Sequence, residues 1–108
     1  MDLKLQNKHV IISGGAKGIG AAIARLFQEE GAIPIILDMD EAAGNRLVGE
    51  MGSGEFIGID LRDEKACERA VTSIQKKYGS IDVLVNNAGV NDVIGLTSPV
   101  EEFMASLH

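Results

Sequence analysis

The sequence has no tryptophan, one tyrosine, one cysteine and two prolines in 108 residues. A lone cysteine, Cys67, excludes an internal disulfide framework and fits a reducing, cytoplasmic compartment. Basic side chains are scarce: ten against sixteen acidic ones, for a net charge of −6. Sequence-independent binding to nucleic acid needs Lys and Arg to neutralise phosphates, so that function is not expected. Long apolar runs are missing as well. The longest, residues 32–37, contains Pro34 and is far too short to span a membrane. The start, Met1-Asp2-Leu3-Lys4, lacks the apolar core of a signal peptide. What is left is a small, acidic, soluble chain. Its 45% apolar content is ordinary for a globular protein and argues against disorder. The length fits a single domain.

Four short, β-branched runs predict strands at residues 9–13, 33–38, 55–59 and 81–86. The first, second and fourth are close to continuously apolar, as in a sheet covered on both faces. Helical spacing fills the gaps. Ile19, Ile23, Leu26 and Phe27 form a stripe that stops at Gly31. Ala43, Leu47 and Met51 form a weaker one after Asp40, a candidate N-cap, with Gly44 and Gly49 opposing it. Cys67, Ala70, Val71, Ile74 and Tyr78 run from an Asp63 cap to a Gly79 stop. Alternating strand and helix predict a parallel sheet with right-handed crossovers. Near the end, Ser98-Pro99-Val100-Glu101 is a helix start with a capping box, and Val100, Phe103, Met104 and Leu107 continue it. No stop signal follows before His108, so the chain is expected to break off inside a helix.

Glycine is what the sequence has in quantity, 13 residues, and the densest group is Ser13-Gly14-Gly15-Ala16-Lys17-Gly18-Ile19-Gly20. It joins the first strand to the first helix. Glycines there permit positive φ and bring a ligand close to the backbone, and the helix N-terminus behind them suits a diphosphate. Tight packing alone is the other explanation. The spacing G-x-x-x-G-x-G is neither the G-x-G-x-x-G fingerprint nor a P-loop. Asp38 closes the second strand, where a carboxylate accepts from both hydroxyls of an adenosine ribose and repels a 2′-phosphate. That favours NAD over NADP, and Met39 stands where an arginine would have suited the phosphate. Asp38 is otherwise a cap, although Asp40 is better placed for that. Lys17 either meets a 2′-phosphate or is a solvated turn residue. Asp60 accepts from an adenine amino group or serves the turn Asp60-Leu61-Arg62-Asp63. Asn86-Asn87-Ala88-Gly89 ends the fourth strand with small residues that admit a ligand and asparagines that tie loops together; a plain turn is the alternative.

Together these residues resemble the short-chain dehydrogenase/reductase family. Its T-G-x-x-x-G-x-G turn appears as Ser13-Gly14 through Gly18-Ile19-Gly20, with serine for threonine. Its N-N-A-G element is Asn86 to Gly89, and its aspartate after the third strand is Asp60. The resemblance implies an α/β, Rossmann-type doubly wound parallel sheet, present as its N-terminal half of about four strands. It implies a dinucleotide held by Gly14, Lys17, Gly18, Ile19 and Gly20 at the diphosphate and by Asp38 at the ribose. Asp60, Leu61, Asn87, Ala88 and Gly89 would flank the adenosine and the nicotinamide-side ribose. The family transfers hydride between a nicotinamide and an alcohol or carbonyl carbon, with a tyrosine as acid/base and a lysine four residues later. Here the only tyrosine is Tyr78 and position 82 is aspartate. Tyr78 lies on an apolar stripe and is expected in the core. Catalytic residues are therefore expected beyond His108, and this chain is expected to be inactive alone. His9 and His108 are assigned structural roles, and no metal is expected. The resemblance also implies a homo-oligomer, or a second chain that completes the fold. Residues 90–99 would form one wall of a substrate pocket. The alternatives are a non-catalytic NAD(P)-binding module or partner subunit, and a phosphate-binding module of another doubly wound fold.

Overall fold

The structure is a computed structural model that describes residues 4–87. Seven elements alternate: β1 (His9–Ser13), α1 (Gly18–Glu29), β2 (Ile33–Asp38), α2 (Glu41–Met51), β3 (Glu55–Gly58), α3 (Glu64–Tyr78) and β4 (Val83–Asn86). The strands make one parallel sheet in the order β3-β2-β1-β4. β1 is central, with β2 on one side and β4 on the other, so the chain reverses its direction of winding at β1. That is the doubly wound, Rossmann-type arrangement expected, and its switch point lies between β1 and β4. The predicted closing helix, residues 90–99 and His108 lie outside the described residues.

Side chains alternate across the sheet and divide the core in two. Ile11, Ile35 and Leu37 pack with Cys67, Val71 and Ile74 of α3. Val10, Ile12 and Ile36 pack with Ala24 of α1 and Leu47 of α2 on the other face. The interiors of β1 and β2 are fully buried, which is why they read as continuous apolar runs. At the two edges of the sheet among the described residues, β3 and β4 are only half-buried, although the fourth run also reads as continuously apolar.

Three details depart from the sequence reading. The stripe expected to bury α1 holds only in part: Ile23 and Phe27 pack against the core, but Ile19 and Leu26 are 74% and 62% exposed, while Gly20 and Ala24 are buried. Small residues let this helix sit close to the sheet, with Ile23 and Phe27 packed beside them. Gly44 does not weaken α2 for want of a better residue; a Cβ there would run into the Phe56 ring of β3. β4 begins at Val83 rather than residue 81, because the Asp82 carboxylate accepts the His9 N–H at 2.8 Å in place of a strand carbonyl. Ile81 is nonetheless buried. β3 likewise ends one residue early, at Gly58.

Tyr78 is half-buried and packs against the edge of the core. Its ring lies 4.6 Å from that of His9, and the Lys77 ammonium is 5.4 Å from its centre. Burial pushes its phenol up from the ordinary value. His9 also places Nδ1 3.3 Å from Ser80 Oγ. These contacts join α3 to the start of β1, a structural role.

The caps expected at Asp40, Asp63 and Gly79 are in place, and Gly52, not among the expected stops, ends α2. Asp40 accepts from Ala43 N at 3.0 Å and Asp63 from Ala66 N at 3.1 Å, and Gly52 and Gly79 end their helices in the left-handed region. Asp63→Ala is expected to cost about 1 kcal/mol, the usual worth of an N-cap. Urea denaturation checks it: the midpoint should fall with the slope unchanged.

Candidate functional site

Because the strands are parallel, the segments that leave their carboxyl ends meet at one edge of the sheet. Gly14 follows β1 and is tied to β2 by its N–H to Leu37 O, 2.8 Å. It has φ +66°, and Gly18 has φ +61°. Both positions require glycine. A Cβ on Gly18 would meet nothing within 4 Å, so its surface faces open space. α1 starts here without a side-chain cap, unlike α2 and α3.

The turn is held from the β4 side. Asn87 Nδ2 donates to Gly14 O at 3.0 Å, and its N–H donates to Ser13 Oγ at 3.2 Å. Ser13, fully buried, donates in turn to Val85 O at 3.2 Å. A hydroxyl at the end of an apolar strand is thereby satisfied on both sides, and β1 and β4 are joined beyond their ladder. Gly20 completes the junction, since a Cβ would strike Gly14 O, Gly15 Cα and Asn87 Nδ2.

Asp38 closes β2 and ties two loops together. Its Oδ2 accepts from Ala16 N at 3.2 Å, and its Oδ1 from Asp40 N at 3.0 Å. Each carboxylate oxygen has about two acceptor positions, so among these contacts each keeps one in reserve. Asp40 pairs with Lys17, Nζ to Oδ2 3.1 Å. The Ala43 amide, then Lys17, hold the Asp40 carboxyl below the ordinary carboxylate range. The Lys17 ammonium is therefore drawn towards the start of α2.

Asp60 follows β3 and is gripped by one residue. Arg62 donates its backbone N–H and Nε to Oδ1 at 2.9 and 3.0 Å, and its Nη2 to Oδ2 at 3.0 Å. The same arginine holds the Asp60 carboxyl below its usual range. A cleft of about 350 Å³ opens between these segments, lined by Gly14, Asp38, Met39, Ile59, Asp60, Leu61 and Arg62. Behind it Cys67 is sealed, with its Sγ 3.6 Å from Leu61 O. Burial, then the charges of Asp63, Asp60 and Glu64, push its thiol up to about 11, which leaves it unreactive at neutral pH.

Of the residues predicted from sequence, Gly14, Asp38, Asp60 and Leu61 share one cleft, and Asn87 and Gly20 buttress its Gly14 wall. Lys17, Gly18 and Ile19 stand exposed beside it at the start of α1. Ala88 and Gly89 lie outside the described residues. Ser13, Ile59 and Arg62 were not predicted as site residues. Ser13 carried one usable signal, a polar residue closing a buried strand. Among the described residues no group of three or more His, Cys, Asp or Glu is arranged to hold a metal ion, and no helix is long and apolar enough to cross a membrane.

Residues 8–106 match the family profile described as short chain dehydrogenase. The chain is 43% identical over 94 residues to short-chain dehydrogenase reductase 5 of Arabidopsis thaliana, covering 85% of this chain and 36% of that protein. It is 39% identical over 104 residues to an uncharacterized oxidoreductase of Thermotoga maritima, covering 92% of this chain and 41% of that one. A solved short chain dehydrogenase from Bacillus anthracis superposes with a TM-score of 0.81 at 25% identity, covering 95% of this chain and 50% of its own. The chain thus spans only 36% and 41% of the length of the two curated relatives.

Proposed function

This chain belongs to the short-chain dehydrogenase family, and from that we propose that it is the dinucleotide-binding part of an NAD-dependent oxidoreductase. The observation that carries this reading is the Asp38 carboxylate. One acceptor position remains on each of its oxygens after Ala16 N and Asp40 N are served. Two acceptors side by side match the two hydroxyls of a ribose. A 2′-phosphate brought there would meet a fixed negative charge, and the next residue, Met39, is no cation, while Arg62 of the same cleft is engaged by Asp60.

The residues present fit such a cofactor. Gly18, at positive φ with open space above it, lets a diphosphate approach the uncapped N-terminus of α1. Gly14, Lys17, Ile19 and Gly20 complete that cradle. Asp60 and Leu61 would receive the adenine, and Asn87, with Ala88 and Gly89, the nicotinamide-side ribose. Once bound, the dinucleotide would supply a donor or acceptor of hydride for a small alcohol or carbonyl substrate. The acid–base tyrosine and its lysine belong, on this reading, to residues beyond His108, and the working protein is a homo-oligomer or is completed by a second chain in the cytoplasm.

Titration with NADH and with NADPH, followed by cofactor fluorescence, tests the reading. Tighter binding of NADH is expected. Tighter binding of NADPH would overturn the choice of cofactor, and binding of neither would leave the glycine turn as a packing device.

A further inference from the structure

The geometry points to Arg62 as a positioning residue that fixes the Asp60 carboxylate so that it accepts one donor, the exocyclic amino group of adenine, and selects that base over a 6-oxopurine. The inference rests on the dinucleotide reading above and concerns a residue that reading does not use.

Consider the acceptors. A carboxylate offers about four lone-pair positions. Arg62 fills both on Oδ1, with its backbone N–H and Nε, and one on Oδ2, with Nη2. A single position on Oδ2 is left. The planar guanidinium fork also fixes the rotation of the carboxylate, because two parallel hydrogen bonds define its plane. Asp60 and Arg62 are both in the wall of the cleft that Gly14 and Asp38 line. The pair is largely exposed, at 39% for Asp60 and 62% for Arg62. An exposed ion pair contributes little to stability, so its consequence is orientation.

Adenine and hypoxanthine differ where this matters. Adenine carries a donor at position 6 and an acceptor at N1. Hypoxanthine carries an acceptor at position 6 and a donor at N1. A carboxylate free to turn would follow the donor from one position to the other and bind both bases. A carboxylate locked with one acceptor left is committed to one position, and against a 6-oxo group it sets acceptor on acceptor.

The test compares NADH with its reduced hypoxanthine analogue on the full chain, by fluorescence titration. The unaltered chain should bind NADH about tenfold more tightly, the worth of one hydrogen bond to a charged acceptor. Arg62→Ala should lower that ratio to twofold or less. Arg62→Lys, which keeps the cation without the planar fork, should behave like the alanine variant. A ratio near one in the unaltered chain would overturn the inference while leaving dinucleotide binding intact. So would equal weakening of both ligands in Arg62→Ala with the ratio preserved, the signature of a purely structural residue. Full retention of the ratio in Arg62→Lys would overturn the fork and leave charge alone. If the unaltered chain binds neither dinucleotide, the functional reading itself fails and this inference falls with it.

Discussion

Gly20→Ala is expected to lower the melting temperature by roughly 12–24 °C. The new Cβ has no room: it would strike Gly14 O, and it would lie 2.8 Å from Gly15 Cα and 2.7 Å from Asn87 Nδ2. Two of the three are main-chain atoms that no rotamer change removes. Overpacking of this kind costs about 1–3 kcal/mol, and main-chain clashes sit at or above the upper end. Displacing the Asn87 amide forfeits its bond to Gly14 O, worth about 1 kcal/mol. Against this, alanine returns about 1 kcal/mol of helix propensity. The net loss is about 3 kcal/mol, and each kcal/mol moves the midpoint of a domain this size by about 4–8 °C. Gly49→Ala is the matched control. It lies in α2 with nothing within 4 Å of its would-be Cβ, so it should hold or raise the midpoint. Calorimetry of the two variants decides the matter, and a Gly20→Ala chain melting with the unaltered one would show that the turn relaxes freely.

Asp38→Ala is expected to weaken NADH binding by about ten- to a hundredfold, since hydrogen bonds to a charged group contribute about 1.5–3 kcal/mol. Adding Met39→Arg should reverse the preference to NADPH, because the repelling charge is gone and a guanidinium stands beside the phosphate. The substitution also strands Ala16 N and Asp40 N, whose acceptors are the two oxygens of Asp38. Binding must therefore be measured well below the variant's own melting point. NADH affinity unchanged by Asp38→Ala would remove the ribose from the reading of this residue.

How far the sequence was legible depends on the range of the interaction. Element order, caps and stops were readable because they are local: Asp63 and Gly79 bracket α3 through bonds that span three or four residues. The parallel sheet followed from the alternation of β and α, and it alone put Gly14, Asp38, Asp60 and Asn87 on one edge. The buried face of α1 was readable only at Ile23 and Phe27, because a hydrophobic count scores Ile19 above Gly20, and the close approach of the Gly14–Gly15 backbone and Asn87 reverses them. The second task of Asp38, holding Ala16 N, needs a residue 22 positions away. The Asp60–Arg62 fork is close in sequence yet depends on a turn conformation that composition does not specify.

The position of β1 between β2 and β4 has a kinetic consequence. Its first ladder joins His9 to Ile33, but its second joins Val10 to Val83, and Asn87 then reaches back 73 residues to Gly14. Long loops must close before such contacts give any return, so pairings of this separation form slowly. Three of the four strands described, β1 with β2 and β3, can assemble while β4 is still unpaired. The glycine turn, whose clamp comes from Asn87, is thus among the last parts of the molecule to set. In pulsed hydrogen exchange during refolding, the amide of Gly14, bonded to Leu37 O, should gain protection before that of Asn87.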